Sequence, residues 1–201
     1  MVNKPKNKGT RAETLVVDHL VGSGVYPDAH RSALSGINDI GDIVGTGDIT
    51  FQVKNVATPQ IPAWLRATEE QRVRGLRTYG VLVVKRSGIG ARNVGLWAAV
   101  MGNEAWKTLW REASKPNLNF LAPTKSPSKA LAWSMLDTEV LRLDFSKGVD
   151  VNGETSCRMM SLDGVLNLLE KRLTNYETAR EPLAAINGLL RDNDLNASGL
   201  L

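Results

Sequence analysis

The sequence predicts an α/β domain with a mixed sheet flanked by helices. Three observations carry this. Gly80-Val81-Leu82-Val83-Val84-Lys85 is a short, nearly continuous apolar run of the kind buried on both faces of a sheet. Residues 39–45 and 48–54 read as two strands joined by Gly45-Thr46-Gly47-Asp48, a tight hairpin signal. Helical patterns flank both, over residues 10–21, 63–79 and 103–112.

Taken in order, residues 1–8 hold Lys4, Pro5, Lys6 and Lys8 without apolar partners and read as a basic flexible arm. Thr10-Arg11-Ala12-Glu13 fits a capping box, in which the Thr hydroxyl and the Glu carboxylate satisfy free N–H groups at a helix start. Val16, Val17 and Leu20 continue that helix, and Gly22-Ser23-Gly24 stops it. Residues 25–32 are an extended stretch, 93–100 a further strand, and 103–112 a helix carrying Trp106 and Trp110. The order to residue 112 is α-β-β-β-α-β-β-α. Pro116, Pro123 and Pro127 mark residues 113–128 as linker-like. Residues 129–201 form a mainly helical C-terminal extension, with a leucine stripe over 162–173 and a second helix over 182–190.

The chain has 201 residues, enough for a hydrophobic core without disulfides. One cysteine, Cys157, and two separated histidines, His19 and His30, exclude a Cys- or His-based zinc site. Carboxylates are then the available metal ligands, which favours Mg²⁺, Mn²⁺ or Ca²⁺. No apolar run is long enough to span a bilayer and no signal peptide is present, so an intracellular, cytoplasmic protein is expected. Charge is uneven: residues 1–115 hold 16 Lys and Arg against 10 Asp and Glu, and residues 116–201 hold 9 against 11. A basic half of this kind is the footprint of a phosphate-rich partner, and the Lys4, Lys6, Lys8, Arg11 series is its best candidate contact because no acid interrupts it.

Chemistry concentrates at the hairpin. Side chains alternate along a strand, so Gln52 and Lys54 share a face, and Asp42 on the preceding strand reaches the same end. An Asp followed by a Gln-x-Lys element can hold a hard cation beside an ammonium that offsets charge on a reacting phosphate. Glu13 lies on the apolar side of its helix and supplies a further carboxylate, although the capping box also accounts for it. Taken singly, Asp42 could be a turn residue and Lys54 an exposed strand lysine, and Asp39 competes with Asp42 for the metal. Arg66, Arg72, Arg74 and Arg77, interleaved with Glu69 and Glu70, read as a solvated helix face with an i,i+4 pair between Glu70 and Arg74. Trp97, Trp106, Trp110 and Trp133 read as core anchors rather than base-stacking platforms.

Gly9-Thr10-Arg11-Ala12-Glu13, Arg31-Ser32-Ala33, Gly41-Asp42-Ile43-Val44-Gly45 and Phe51-Gln52-Val53-Lys54, in this order, resemble the archaeal-type Holliday junction resolvases of the PD-(D/E)xK nuclease superfamily. The resemblance covers about residues 8–100. It implies a restriction-endonuclease-like nuclease core over 9–112 and an endonuclease that cleaves branched DNA with Mg²⁺, or Mn²⁺ in its place, as a nucleoid-associated homodimer. By motif, Glu13, Asp42, Gln52 and the Val53 carbonyl would hold the metal, Lys54 would be the catalytic lysine, and Arg31 and Ser32 would lie near the scissile phosphate. The family has Glu where Gln52 stands and often Arg where Thr14 stands, and its loop before Asp42 is shorter. Two alternatives stand beside it: Gln52 and Thr14 could mark a DNA-binding or assembly module with weakened catalysis, and a nuclease for duplex or repair and replication intermediates would look the same, because branch selectivity lies in dimer geometry and surface shape.

Overall fold

The computed structural model describes residues 4–33, 39–113, 141–144, 156–176 and 178. Its centre is a seven-stranded mixed sheet in the order β1-β2-β3-β4-β5-β7-β6. The strands are β1 (His30–Arg31), β2 (Ile43–Val44), β3 (Ile49–Lys54), β4 (Tyr79–Val84), β5 (Ala98–Gly102), β6 (Leu141–Asp144) and β7 (Ser156–Ser161). The helices are α1 (Lys4–Gly22), α2 (Ile61–Arg74), α3 (Asn103–Ala113) and α4 (residues 162–176).

The apolar run becomes β4, buried at every position, and pairs parallel to β3 with α2 as the crossover. Alternation along the strands makes two cores. Ile49, Phe51 and Val53, with Val81 and Val83, face Ala12, Val16 and Leu20 of α1, and the same core takes Trp106 and Leu109 of α3 and Val165 and Leu169 of α4. Leu82, Val84, Ala98, Val100, Cys157 and Met159 face the other way, against Ile61 and Leu65 of α2. Thus Gln52 and Lys54 belong to the α2 side of β3, and Glu13 comes from the helix on the opposite layer.

Four expectations are corrected. The first helix starts at Lys4, so residues 4–8 are its opening turns rather than a flexible arm. Pro5 fits there because the first turn has no N–H bond to lose. Thr10 is therefore inside the helix, where its carbonyl accepts from the Thr14 hydroxyl (3.0 Å), and the capping box does not form. The strand expected at 93–100 is displaced. Ala91–Leu96 is a 3₁₀ helix closed by the Trp97 N–H on the Val94 carbonyl (2.8 Å), and β5 follows at Ala98–Gly102. The extended stretch 25–32 contracts to the two residues of β1.

The described part of the extension adds strands to the sheet as well as a helix. β7 pairs antiparallel with β5 from Ala98↔Ser161 to Gly102↔Cys157, and β6 pairs with β7. α4 buries Leu162, Val165, Leu166, Leu168 and Leu169 in the common core. Arg172 then ties α4 to the hairpin and to α3, donating to both carboxylate oxygens of Asp48 (3.0 and 2.7 Å) and to Glu112 (2.7 Å). Residues 141–144 and 156–176 thus share one sheet and one core with the first half. The linker-like residues 114–128, Trp133 and the helix expected over 182–190 lie outside the described residues. Among the described residues no helix is long and apolar enough to cross a membrane.

Candidate active site

The site forms where β2 stops short of β3. β2 has two residues and β3 has six, so the N–H of Val53 has no strand partner on that side. Asp42, immediately before β2, fills the place: its Oδ2 accepts from the Val53 N–H (2.6 Å) and from Gln52 Nε2 (2.5 Å). Its backbone is fixed as well. The Asp42 N–H donates to the Phe51 carbonyl (2.9 Å), and its carbonyl accepts from the Ser32 N–H (2.8 Å). Gly41 makes this approach possible. Its φ is +126°, and a Cβ there would lie 3.0 Å from the Phe51 carbonyl oxygen.

Glu13 arrives from α1, next to the buried Ala12 and one turn before Val16. With no capping role, its Oε2 accepts from Arg31 Nε (2.9 Å) and Nη2 (2.7 Å). The Asp42 carboxyl is pushed up to about 6, first by burial; the Val53 N–H and the Lys54 ammonium pull it down, and the Glu13 and Asp39 carboxylates push it up again. Each of the other predicted catalytic and metal-binding groups therefore acts on Asp42. Gln52 and Val53 bond to it, Ser32 holds its carbonyl, and Glu13 and Lys54 act through charge. Arg31 reaches the same place through Glu13. In a strand the N–H and C=O of one residue leave on the same side, so the Val53 carbonyl also faces this edge.

The Asp39 side chain is engaged elsewhere. Its Oδ1 accepts from the Gly41 N–H (3.0 Å), its Oδ2 from Gln71 Nε2 (2.8 Å), and its carbonyl from Arg74 Nη1 (2.6 Å). It anchors the loop to α2 and lends negative charge from a distance. Arg74 is thereby taken, and Arg72 pairs with the buried Glu69 (2.6 Å), so the expected Glu70–Arg74 pair is replaced by two other contacts. Lys8 and Arg11 are exposed on α1, while the side chains of Lys4 and Lys6 lie outside the described residues. Trp97 and Trp106 are core residues, and Trp106 stacks on Trp110 (5.4 Å between rings). Sequence reasoning did not find the Glu13–Arg31 pair or the Asp39–Gln71 anchor. Neither has a local signal, since their partners are separated by 18 and 32 positions.

The donors at this edge fit a hard divalent cation in kind: two carboxylates, a side-chain amide and a backbone carbonyl, all offering oxygen. Gln52 would ligate through Oε1, which requires its amide turned over from the present bond to Asp42. Among the described residues no group of three His, Cys, Asp or Glu side chains is arranged to hold a metal, so a site here depends on the amide as third ligand. Set against protein-family models, curated proteins and solved structures, the chain matches none.

Proposed function

We propose that the chain is a Mg²⁺-dependent DNA endonuclease of restriction-endonuclease-like fold, selective for branched DNA such as a four-way junction and acting as a homodimer in the cytoplasm. The observation that supports it is the convergence on Asp42 of Gln52, Val53, Lys54 and Glu13 at one sheet edge. A divalent cation held by Glu13, Asp42, Gln52 and the Val53 carbonyl would polarise a phosphate and acidify bound water. The chain's own residues do the rest. Lys54 places an ammonium where charge develops on the phosphate oxygens. Arg31 offers a guanidinium suited to a phosphate in exchange for the Glu13 carboxylate.

The test is incubation of the purified chain with Mg²⁺ and a four-way junction, its component duplex and a flap. The junction is cut and the others are spared, and Asp42→Ala and Lys54→Ala each lose about 10²-fold or more in rate while still binding. If all three substrates are bound but left intact, the reading fails. One observation favours a second reading, a DNA-binding module with weakened catalysis: Asp42 and Glu13 are each already paired, with Gln52 and with Arg31. Under that reading neither substitution changes any measured property of the bound DNA.

A further inference from the structure

A cavity of about 330 Å³ opens beyond the C-terminal ends of β3 and β4, the position in a parallel pair where ligands commonly bind. Lys8 of α1 lines one wall, and Lys85 and Arg86, which follow β4, line another. Among the described residues no Asp or Glu lines it. Arg86 is buried, with Nη1 donating to the Leu96 carbonyl (2.9 Å), so it forms a fixed part of this wall. Lys8 is exposed and Lys85 half-buried.

The sign of this lining selects an anion. Its position selects among anions. The Lys85 N–H donates to the Lys54 carbonyl (2.9 Å), so the cavity starts one residue from the candidate catalytic lysine on the adjacent strand. Neighbouring strands lie about 5 Å apart, so one ligand can reach both places if its negative charges repeat at short intervals. A nucleic-acid backbone has that property, and a single small anion does not. We propose that this cavity is a second phosphate site, in which Lys8 and Lys85 grip a backbone phosphate of the same strand whose scissile phosphate lies at Asp42 and Lys54. The ligand assignment rests on the nuclease reading, whereas the excess of positive charge in the cavity does not.

The test is a salt series of binding to labelled duplex DNA in EDTA, comparing the full chain with Lys8→Ala/Lys85→Ala and Lys8→Arg/Lys85→Arg. The Ala pair weakens binding about tenfold at low salt and lowers the slope of log K against log salt by about 1, the loss of one phosphate contact. The Arg pair keeps both values, which a merely structural effect of the substitutions would not allow. Unchanged affinity and slope in the Ala pair overturn the proposal. So does an equal loss in the Arg pair, or a cavity that binds inorganic phosphate, read as thermal stabilisation of the full chain, while DNA binding ignores the substitutions. Cleavage of a junction in Mg²⁺ is scored separately. A changed slope without cleavage keeps this site and removes the nuclease reading, and cleavage with an unchanged slope does the reverse.

Discussion

Asp42 combines a structural bond with an unfavourable charge. Its Oδ2 closes the free edge of β3 at the Val53 N–H, yet burial, Glu13 and Asp39 all resist its ionisation and leave the carboxyl near 6 rather than at the ordinary 3.8. The folded chain thus holds this proton more tightly than the unfolded chain. Stability from Asp42 is full below about pH 4 and is lost as the pH rises through about 6. Asp42→Asn cannot ionise, so its urea unfolding free energy should fall less than the wild type's between about pH 4 and pH 7. Equal pH dependence in the two proteins would contradict the assignment. A divalent cation held here as proposed would compete with the same proton and so would be favoured on the alkaline side of this range. Leu76 is a second residue under local cost. α2 ends in a Schellman motif, with the Leu76 N–H on the Val73 carbonyl (3.1 Å) and the Arg77 N–H on the Arg72 carbonyl (2.9 Å). The left-handed position falls on Leu76 (φ +51°) rather than on Gly75, and the side chain is 93% exposed. Leu76→Gly should therefore raise stability by about 1 kcal/mol in denaturant melts, and a loss would show that the leucine makes contacts beyond this domain.

At the scale of elements, the β2–β3 hairpin positions the site because it is cut short. The hairpin was legible in the Gly45-Thr46-Gly47-Asp48 signal, and the shared face of Gln52 and Lys54 followed from strand alternation. That β2 would keep only Ile43 and Val44 was not legible, because strand length at an edge depends on what the neighbours leave to pair. Gly45 shows the tertiary constraint on the turn. Its φ is +78°, and a Cβ would stand 2.1 Å from the Asp28 carbonyl oxygen, a backbone atom that cannot turn away. Gly45→Ala should cost about 3 kcal/mol and displace the loop that carries Asp28 towards β1, read as a lowered denaturation midpoint. A midpoint within error of the wild type would mean that the hairpin is not packed against this loop. α1 makes the opposite point. The apolar spacing of Val16 and Leu20 announced the helix, but its start was misplaced because Thr-x-x-Glu matches a cap equally well inside a helix.

Across the whole molecule, β5 joins the halves. All five of its residues are buried, with β4 on one side and β7 on the other. A chain ending at residue 113 would lose β6, β7 and α4, expose the β5 edge and leave Asp48 without Arg172. Burial lifts the Asp48 carboxyl, but hydrogen bonds from Arg172 and Thr78 outweigh it and hold the group below the usual range. Such a truncation should lack a cooperative thermal transition and aggregate, whereas a cooperative transition would restore residues 9–112 as an independent core. The amino-acid order by itself determined the α/β class, the buried central strand, the hairpin, the helix of the leucine stripe, and the residue types able to meet at Asp42. These depend on periodicity and turn chemistry, which act over a few residues. Only the tertiary structure decided that Asp42 bonds Gln52 and Val53 while Asp39 bonds Gln71, that Glu13 holds Arg31, and that the second half completes the sheet. Those outcomes join residues 10 to 124 positions apart, and over such separations burial, charge and hydrogen-bond supply choose the partners.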